Sequence, residues 1–149
     1  LDAAEWRIPG GRMKMGEEHV VPLSMQAIEL LRQLKAISGK RPQLFPNVRD
    51  PKREMSPTTL NRVLERMGYA GRFSAHGFRS TASTILNEMG YLPDVIERQL
   101  AHKDRNKVRA SYNQASYMAE RREMMQRWAD LVDGAQAAGN VVPIRKGRA

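Results

Sequence analysis

Glycine, proline and small polar residues divide the chain after residue 23 into short segments of helical period, and this spacing limits the fold more than any other feature. Ser24 stands as an N-cap before Ile28, Leu31 and Leu34, with Leu30 and Ile37 on the flank, and Ser38-Gly39 closes the segment. This stripe is expected to be core. Ser56-Pro57 opens a second helix as N-cap and first-turn proline; Leu60, Val63, Leu64 and Met67 share a face and Gly68 stops it. Ser74 caps a third, whose Ala82, Ile85, Leu86 and Met89 point inward before Gly90. Pro93 starts a short fourth helix over 94–100. Residues 117–133 form the last, with Met118, Met125, Trp128, Leu131 and Val132 as its apolar stripe and Glu120, Arg121, Arg122 and Glu123 off it.

The remainder is not helical. Glu5-Trp6-Arg7-Ile8-Pro9 alternates, and His19-Val20-Val21-Pro22-Leu23 is β-branched and ends beside a proline. With Gly10, Gly11 and Gly16 between them, residues 4–23 read as a β-hairpin. Residues 40–52 carry Pro42, Pro46, Asn47, Asp50 and Pro51 and read as a loop over an apolar plug at Leu44-Phe45-Pro46. The fold class is therefore mainly α with a small antiparallel β-sheet. Residues 134–149 look like a disordered basic tail.

Charge points to the partner. Twenty-five Lys and Arg against 16 Asp and Glu leave +9 in 149 residues, an excess that suits a polyanion such as nucleic acid. No cysteine is present, so neither a disulfide nor a thiolate metal site is available. No apolar run is long enough to span a membrane. The chain begins with Leu1-Asp2 and not Met, and is expected to be a fragment of a longer protein.

Between residues 74 and 112 the sequence concentrates groups suited to a phosphodiester. His76 and Arg79 lie three apart, on one face at a helix N-terminus, where free N–H groups also favour an anion. His102 follows the short fourth helix, and Tyr112 is a possible nucleophile. Arg and His donors can stabilise the oxygens of a phosphoryl group under attack. Tyr117 competes with Tyr112 on residue type alone. Arg62 and Arg66 read equally as phosphate contacts or as solvated side chains.

His-Gly-Phe-Arg, Gln-Leu-Ala-His and Arg-Ala-Ser-Tyr-Asn, in that order, resemble the C-terminal signature of the tyrosine recombinases, the phage-integrase family, and most of all integrases of prophages and genomic islands. His102 lies 23 residues after Arg79, and Tyr112 ten after His102, at the family's usual interval and at the long end of its range. The resemblance implies an N-terminally truncated recombinase catalytic domain over 1–133, with the hairpin at 4–23 and helices over 24–132. It implies Tyr112 as nucleophile, Arg79, His76 and His102 around the phosphate, and Lys14 as general acid, eight residues before Pro22 in the hairpin loop. Arg12, Lys103, Arg105, Lys107 and Arg109 would contact DNA. The partners it implies are double-stranded DNA at attachment sites and other protomers, reached through the C-terminal helix; the location is the bacterial cytoplasm, at the nucleoid. The chemistry needs no metal, ATP or other cofactor. The family also uses an upstream Arg in a motif like Gly-x-Arg-x-x-Glu, which is not in this sequence.

A type IB topoisomerase shares this chemistry but differs in the context and spacing of its His-x-x-Arg. A non-catalytic DNA-binding module or an assembly protein would carry the charge without a reason for Tyr112 at its interval.

Overall fold

The computed structural model describes residues 3–13, 16–102 and 116–138. Strand β1 (Glu5–Ile8) pairs antiparallel with β2 (His19–Pro22), with Trp6 opposite Val21 and Ile8 opposite His19. A 3-10 turn at Gly10–Arg12 leaves β1. Gly10 is required there, because a Cβ on it would lie 2.2 Å from the Gly16 carbonyl oxygen.

Five α-helices follow among the described residues: α1 (Met25–Ser38), α2 (Thr59–Leu64), α3 (Ala75–Glu88), α4 (Pro93–Gln99) and α5 (Met118–Ala137). Helix α1 is bounded as its sequence dictates. The Ser24 hydroxyl accepts the Ala27 N–H at 3.2 Å, and Gly39 ends the helix at φ +62°. Its stripe is not the main core: Ile28, Leu31 and Leu34 are half-buried, while Leu30 is 60% exposed and Ile37 81%.

Helix α2 starts later than Ser56-Pro57 suggests. Ser56 spends its hydroxyl and carbonyl on a turn with Thr58 and Thr59, so Thr58 becomes the N-cap. A π-helical turn over Glu65–Tyr69 contains Gly68 at φ +88°. Of the expected face only Leu64 is buried; Leu60, Val63 and Met67 are exposed. The loop at 40–52 closes by a bridge between Pro46 and Glu54, and Asn47 Oδ1 accepts the N–H groups of Arg49 and Asp50. Phe45 bonds Met55 through its backbone and leaves its ring about half exposed, so it is not the plug expected there.

Ser74 has the extended backbone of an N-cap for α3 but makes no side-chain capping bond. Asn61 of α2 supplies the acceptor instead, its Oδ1 taking the Ala75 N–H at 2.8 Å. Gly77 lets the Phe73 ring lie against α3, where a Cβ would meet it at 2.8 Å, and Phe73 packs edge-on against Phe78.

The core sits where α3, α4 and α5 meet: Leu86, Val95, Ile96 and Met124, surrounded by Tyr91, Leu100, Tyr117, Met125 and Trp128. Helix α5 docks on its own chain. Its Gln126 accepts the Met25 N–H, its Asp130 accepts from Gln26, and its Arg122 pairs with Glu5 of β1. The buried part of α5 is Arg121 and Met124; Leu131 and Val132, about two turns further along the same face, are exposed. The helix continues to Ala137, four residues past its expected end at 133; residues 139–149 lie outside the described residues. Among the described residues no helix is long and apolar enough to cross a membrane.

Candidate active site

One face of α3, along most of its length, and the C-terminal end of α4 form a cleft of about 320 Å³ lined by His76, Arg79, Leu100 and His102, with Ser80, Ser83, Thr84 and Asn87 along its wall. Three of the expected site residues thus meet in one place. His76 and Arg79 reach it because residues three apart on a helix share a face.

His102 reaches it through the way α4 ends. Ala101 adopts a left-handed backbone, φ +50°. Its N–H bonds the Arg98 carbonyl at 3.2 Å and the His102 N–H bonds the Glu97 carbonyl at 3.0 Å. This pair of bonds is a Schellman motif, which normally favours glycine at the left-handed position. It folds the chain back over the last turn of α4 and brings the imidazole to Arg79.

The side chains then interlock. Arg79 Nε donates to His102 Nε2 at 3.2 Å, and Arg79 Nη2 donates to the Leu100 carbonyl. His102 Nδ1 lies 2.7 Å from Glu97 Oε2. Because Nε2 accepts from Arg79, the ring proton belongs on Nδ1, where it is donated to the Glu97 carboxylate. Glu97 was invisible in the sequence as a site residue. The signal was its position five residues before His102, which the Schellman turn converts into contact.

A second polar cluster lies behind the cleft. His19 Nε2 donates to the Gln99 carbonyl at 3.2 Å. Burial lowers the His19 pKa first, and the charges of Arg121, Arg98 and Arg79 lower it further, against the opposing pull of the Gln99 bond. Arg121 is 2% exposed; burial and the charge of Arg98 lower its pKa too. Arg121 was expected off the apolar stripe of this helix, yet it is buried, because its guanidinium finds protein acceptors: Gln99 Oε1 at 2.8 Å, the Val20 carbonyl at 2.6 Å and the Ser116 carbonyl at 3.3 Å.

Arg12 is on the 3-10 turn of the hairpin, paired with Glu54 at 2.8 Å with both side chains largely exposed. Lys14, Lys103, Arg105, Lys107, Arg109 and Tyr112 lie outside the described residues. Tyr117, the competing tyrosine, packs against the core at the start of α5.

Residues 1–118 match the Phage integrase family. This chain belongs to the phage integrase family. It is 49% identical over 142 residues to the prophage integrase IntA of Escherichia coli K12, an alignment covering 95% of this chain and 34% of that protein. It is 47% identical to the integrase of Enterobacteria phage P4, over 89% of this chain and 34% of the phage protein, and 44% identical to the E. coli prophage integrase IntZ, over 97% and 35%. As a phage-integrase chain it therefore spans about a third of the length of these curated relatives. No solved structure matches it. The mainly helical architecture with its two-stranded antiparallel sheet fits the catalytic-domain fold of this family of tyrosine recombinases.

Proposed function

We propose that this chain supplies most of the active site of a site-specific DNA recombinase that cuts and rejoins duplex DNA at attachment sites. The observation that carries the reading is the contact of Arg79 with His102, with His76 on the same cleft. Two sequence motifs 23 residues apart build one anion-binding wall.

In this reading the Tyr112 oxygen attacks the scissile phosphorus. A 3′-phosphotyrosyl bond forms, the bond to the 5′ oxygen breaks, and the Tyr112 proton passes to His76 or to solvent. Lys14 protonates the departing 5′ oxygen. A 5′ hydroxyl then attacks the phosphotyrosine and restores a phosphodiester. One ester replaces another at each step, so neither ATP nor a metal is called for.

The DNA-free geometry suggests how the wall engages. Arg79 spends its Nε–H on His102 and an Nη2–H on Leu100. A phosphate in the cleft competes with His102 for Arg79. Held by Glu97 at Nδ1, His102 can then take a proton from solvent at Nε2 and hydrogen-bond a non-bridging oxygen with it. The basic set Arg12, Lys103, Arg105, Lys107 and Arg109 would track the flanking backbone, and other protomers and the bacterial nucleoid complete the expected setting.

A nicked suicide substrate tests this in the full-length protein that carries the chain. The expected result is a protein–DNA adduct that survives denaturant, is lost in Tyr112→Phe, and is lost without loss of DNA binding. An adduct that persists in Tyr112→Phe and vanishes in Tyr117→Phe would overturn the assignment.

A further inference from the structure

We propose that Arg121 is a positioning residue for strand cleavage: its buried guanidinium fixes the mutual placement of the three segments that bear the site. The proposal rests on the recombinase reading above.

Arg121 is the largest fully buried side chain in the described structure, and no carboxylate pairs with it among the described residues. Burying a cation without a counter-ion is costly, and a hydrophobic side chain of similar volume fills such space at least as well. Filling space therefore does not account for an arginine. Its hydrogen bonds do. A guanidinium presents five N–H donors in one rigid plane, and this one reaches three separate stretches of chain: Val20 in β2, Gln99 at the end of α4, and Ser116 just before α5.

Each stretch adjoins an expected site residue. Val20 lies in the strand that follows the loop bearing Lys14. Gln99 precedes Leu100, whose carbonyl holds Arg79, and lies three residues before His102. Ser116 comes four residues after Tyr112. Gln99 is fixed twice, its side chain by Arg121 and its carbonyl by His19 of β2. The end of α4, and with it the Glu97–His102–Arg79 set, is thus pinned to the hairpin from both sides of one residue. Arg121 does not line the cleft, so it acts through these segments and not on the phosphate.

The test uses Arg121→Met, Arg121→Lys and Gln99→Leu in the full-length protein, at a temperature where circular dichroism shows each variant fully folded. Attachment-site affinity and the single-turnover rate of adduct formation are measured separately. A displacement of about 1 Å in reacting groups costs on the order of 10²-fold in rate. Arg121→Met should lose that much rate while keeping its DNA affinity. Arg121→Lys should recover part of the loss by keeping a buried donor, and Gln99→Leu should fall between Met and wild type. If Arg121→Met does not fold, rates of Gln99→Leu and Arg121→Lys below wild type at unchanged DNA affinity carry the test. Adduct formation at the wild-type rate in the folded variants overturns the proposal. So do losses of rate that merely follow losses of affinity, since those report structural damage. A Tyr112→Phe protein that still forms adduct would instead sink the recombinase reading, whatever the Arg121 variants do.

Discussion

Glu97 and His102 are joined twice, through the backbone by the His102 N–H on the Glu97 carbonyl at 3.0 Å and through the side chains by Nδ1 and Oε2 at 2.7 Å. The first bond brings the ring back over the helix end; the second sets which nitrogen carries the proton. With Nδ1 held by a carboxylate, Nε2 is left to accept from Arg79, and in the recombinase reading to serve a substrate oxygen once it is protonated. The charge-assisted bond is worth about 1 kcal/mol more than a neutral one. Glu97→Gln should therefore slow adduct formation by roughly fivefold to tenfold, with DNA affinity unchanged. Single-turnover cleavage beside a binding titration measures both. Equal rates in the two proteins would mean that the carboxylate does not orient His102 during reaction.

Ala101 carries the strain of the same turn. A left-handed backbone costs an L-residue with a Cβ about 1–2 kcal/mol, and Ala101 holds φ +50°. Glycine removes that cost but adds unfolded-state entropy worth about 0.4–1 kcal/mol. Ala101→Gly should stabilise the fold by about 0.5–1 kcal/mol, seen as a rise in denaturant midpoint at constant slope. A fall in midpoint would show that the methyl group makes a contact worth more than the strain it imposes.

How far the sequence could be read follows from which forces are local. The Ser24 cap, the Gly39 stop and the start of α4 at Pro93 depend on residues within a turn of one another, and the hairpin on two strands consecutive in the chain; the structure has them where the pattern put them. The closeness of His76 to Arg79 was legible because the two share a helix face; that His102 joins them was implied by the resemblance and not by spacing alone. What was not legible was decided at long range. The α3 cap passed from Ser74 to Asn61, fourteen residues away. The sequence placed Arg121 only off the apolar stripe, because its acceptors, at Val20 and Gln99, are brought in by tertiary folding. Met124, one turn on from Arg121, is core with it, while Leu131 and Val132, about two turns further along the same face of α5, are exposed.

His19 gives the fold a pH dependence of known sign. Its folded-state pKa is lowered, by burial first and then by Arg121 of α5, Arg98 of α4 and Arg79 of α3. Between that lowered value and the unfolded value of about 6.5, the unfolded chain binds a proton that the folded chain does not. Stability then rises with pH across this window. The neutral ring's contribution is complete above about pH 6.5 and shrinks as pH falls below it. His19→Gln can still donate to the Gln99 carbonyl but cannot titrate. Thermal melts from pH 7.5 down to 5.5 should show a smaller loss of Tm in His19→Gln than in the parent. Parallel melting curves for the two proteins would place the acid sensitivity elsewhere.

The 149 residues on their own should bind DNA weakly and cut it undetectably. A net charge of +9 supplies attraction to the backbone, but backbone contacts alone carry no sequence preference and are sensitive to salt. With about four phosphate contacts, affinity should drop by about 10²-fold between 50 and 200 mM salt, and competitor DNA of any sequence should displace the labelled duplex equally well. Cleavage needs the charge that the resemblance assigns to a further Arg, in a motif like Gly-x-Arg-x-x-Glu that these residues do not contain. Removing one donor that stabilises charge in the transition state costs about 10²–10³ in rate, and loss of specific affinity lowers occupancy as well. The measurement is adduct formation on a suicide substrate by this chain, beside a longer protein that includes such a motif upstream. The longer protein should cut and the short one should not. Brisk cleavage by the short chain at physiological salt would mean that Arg79, His76 and His102 neutralise the phosphate without that further arginine, and the set of groups assigned to the transition state would have to shrink accordingly.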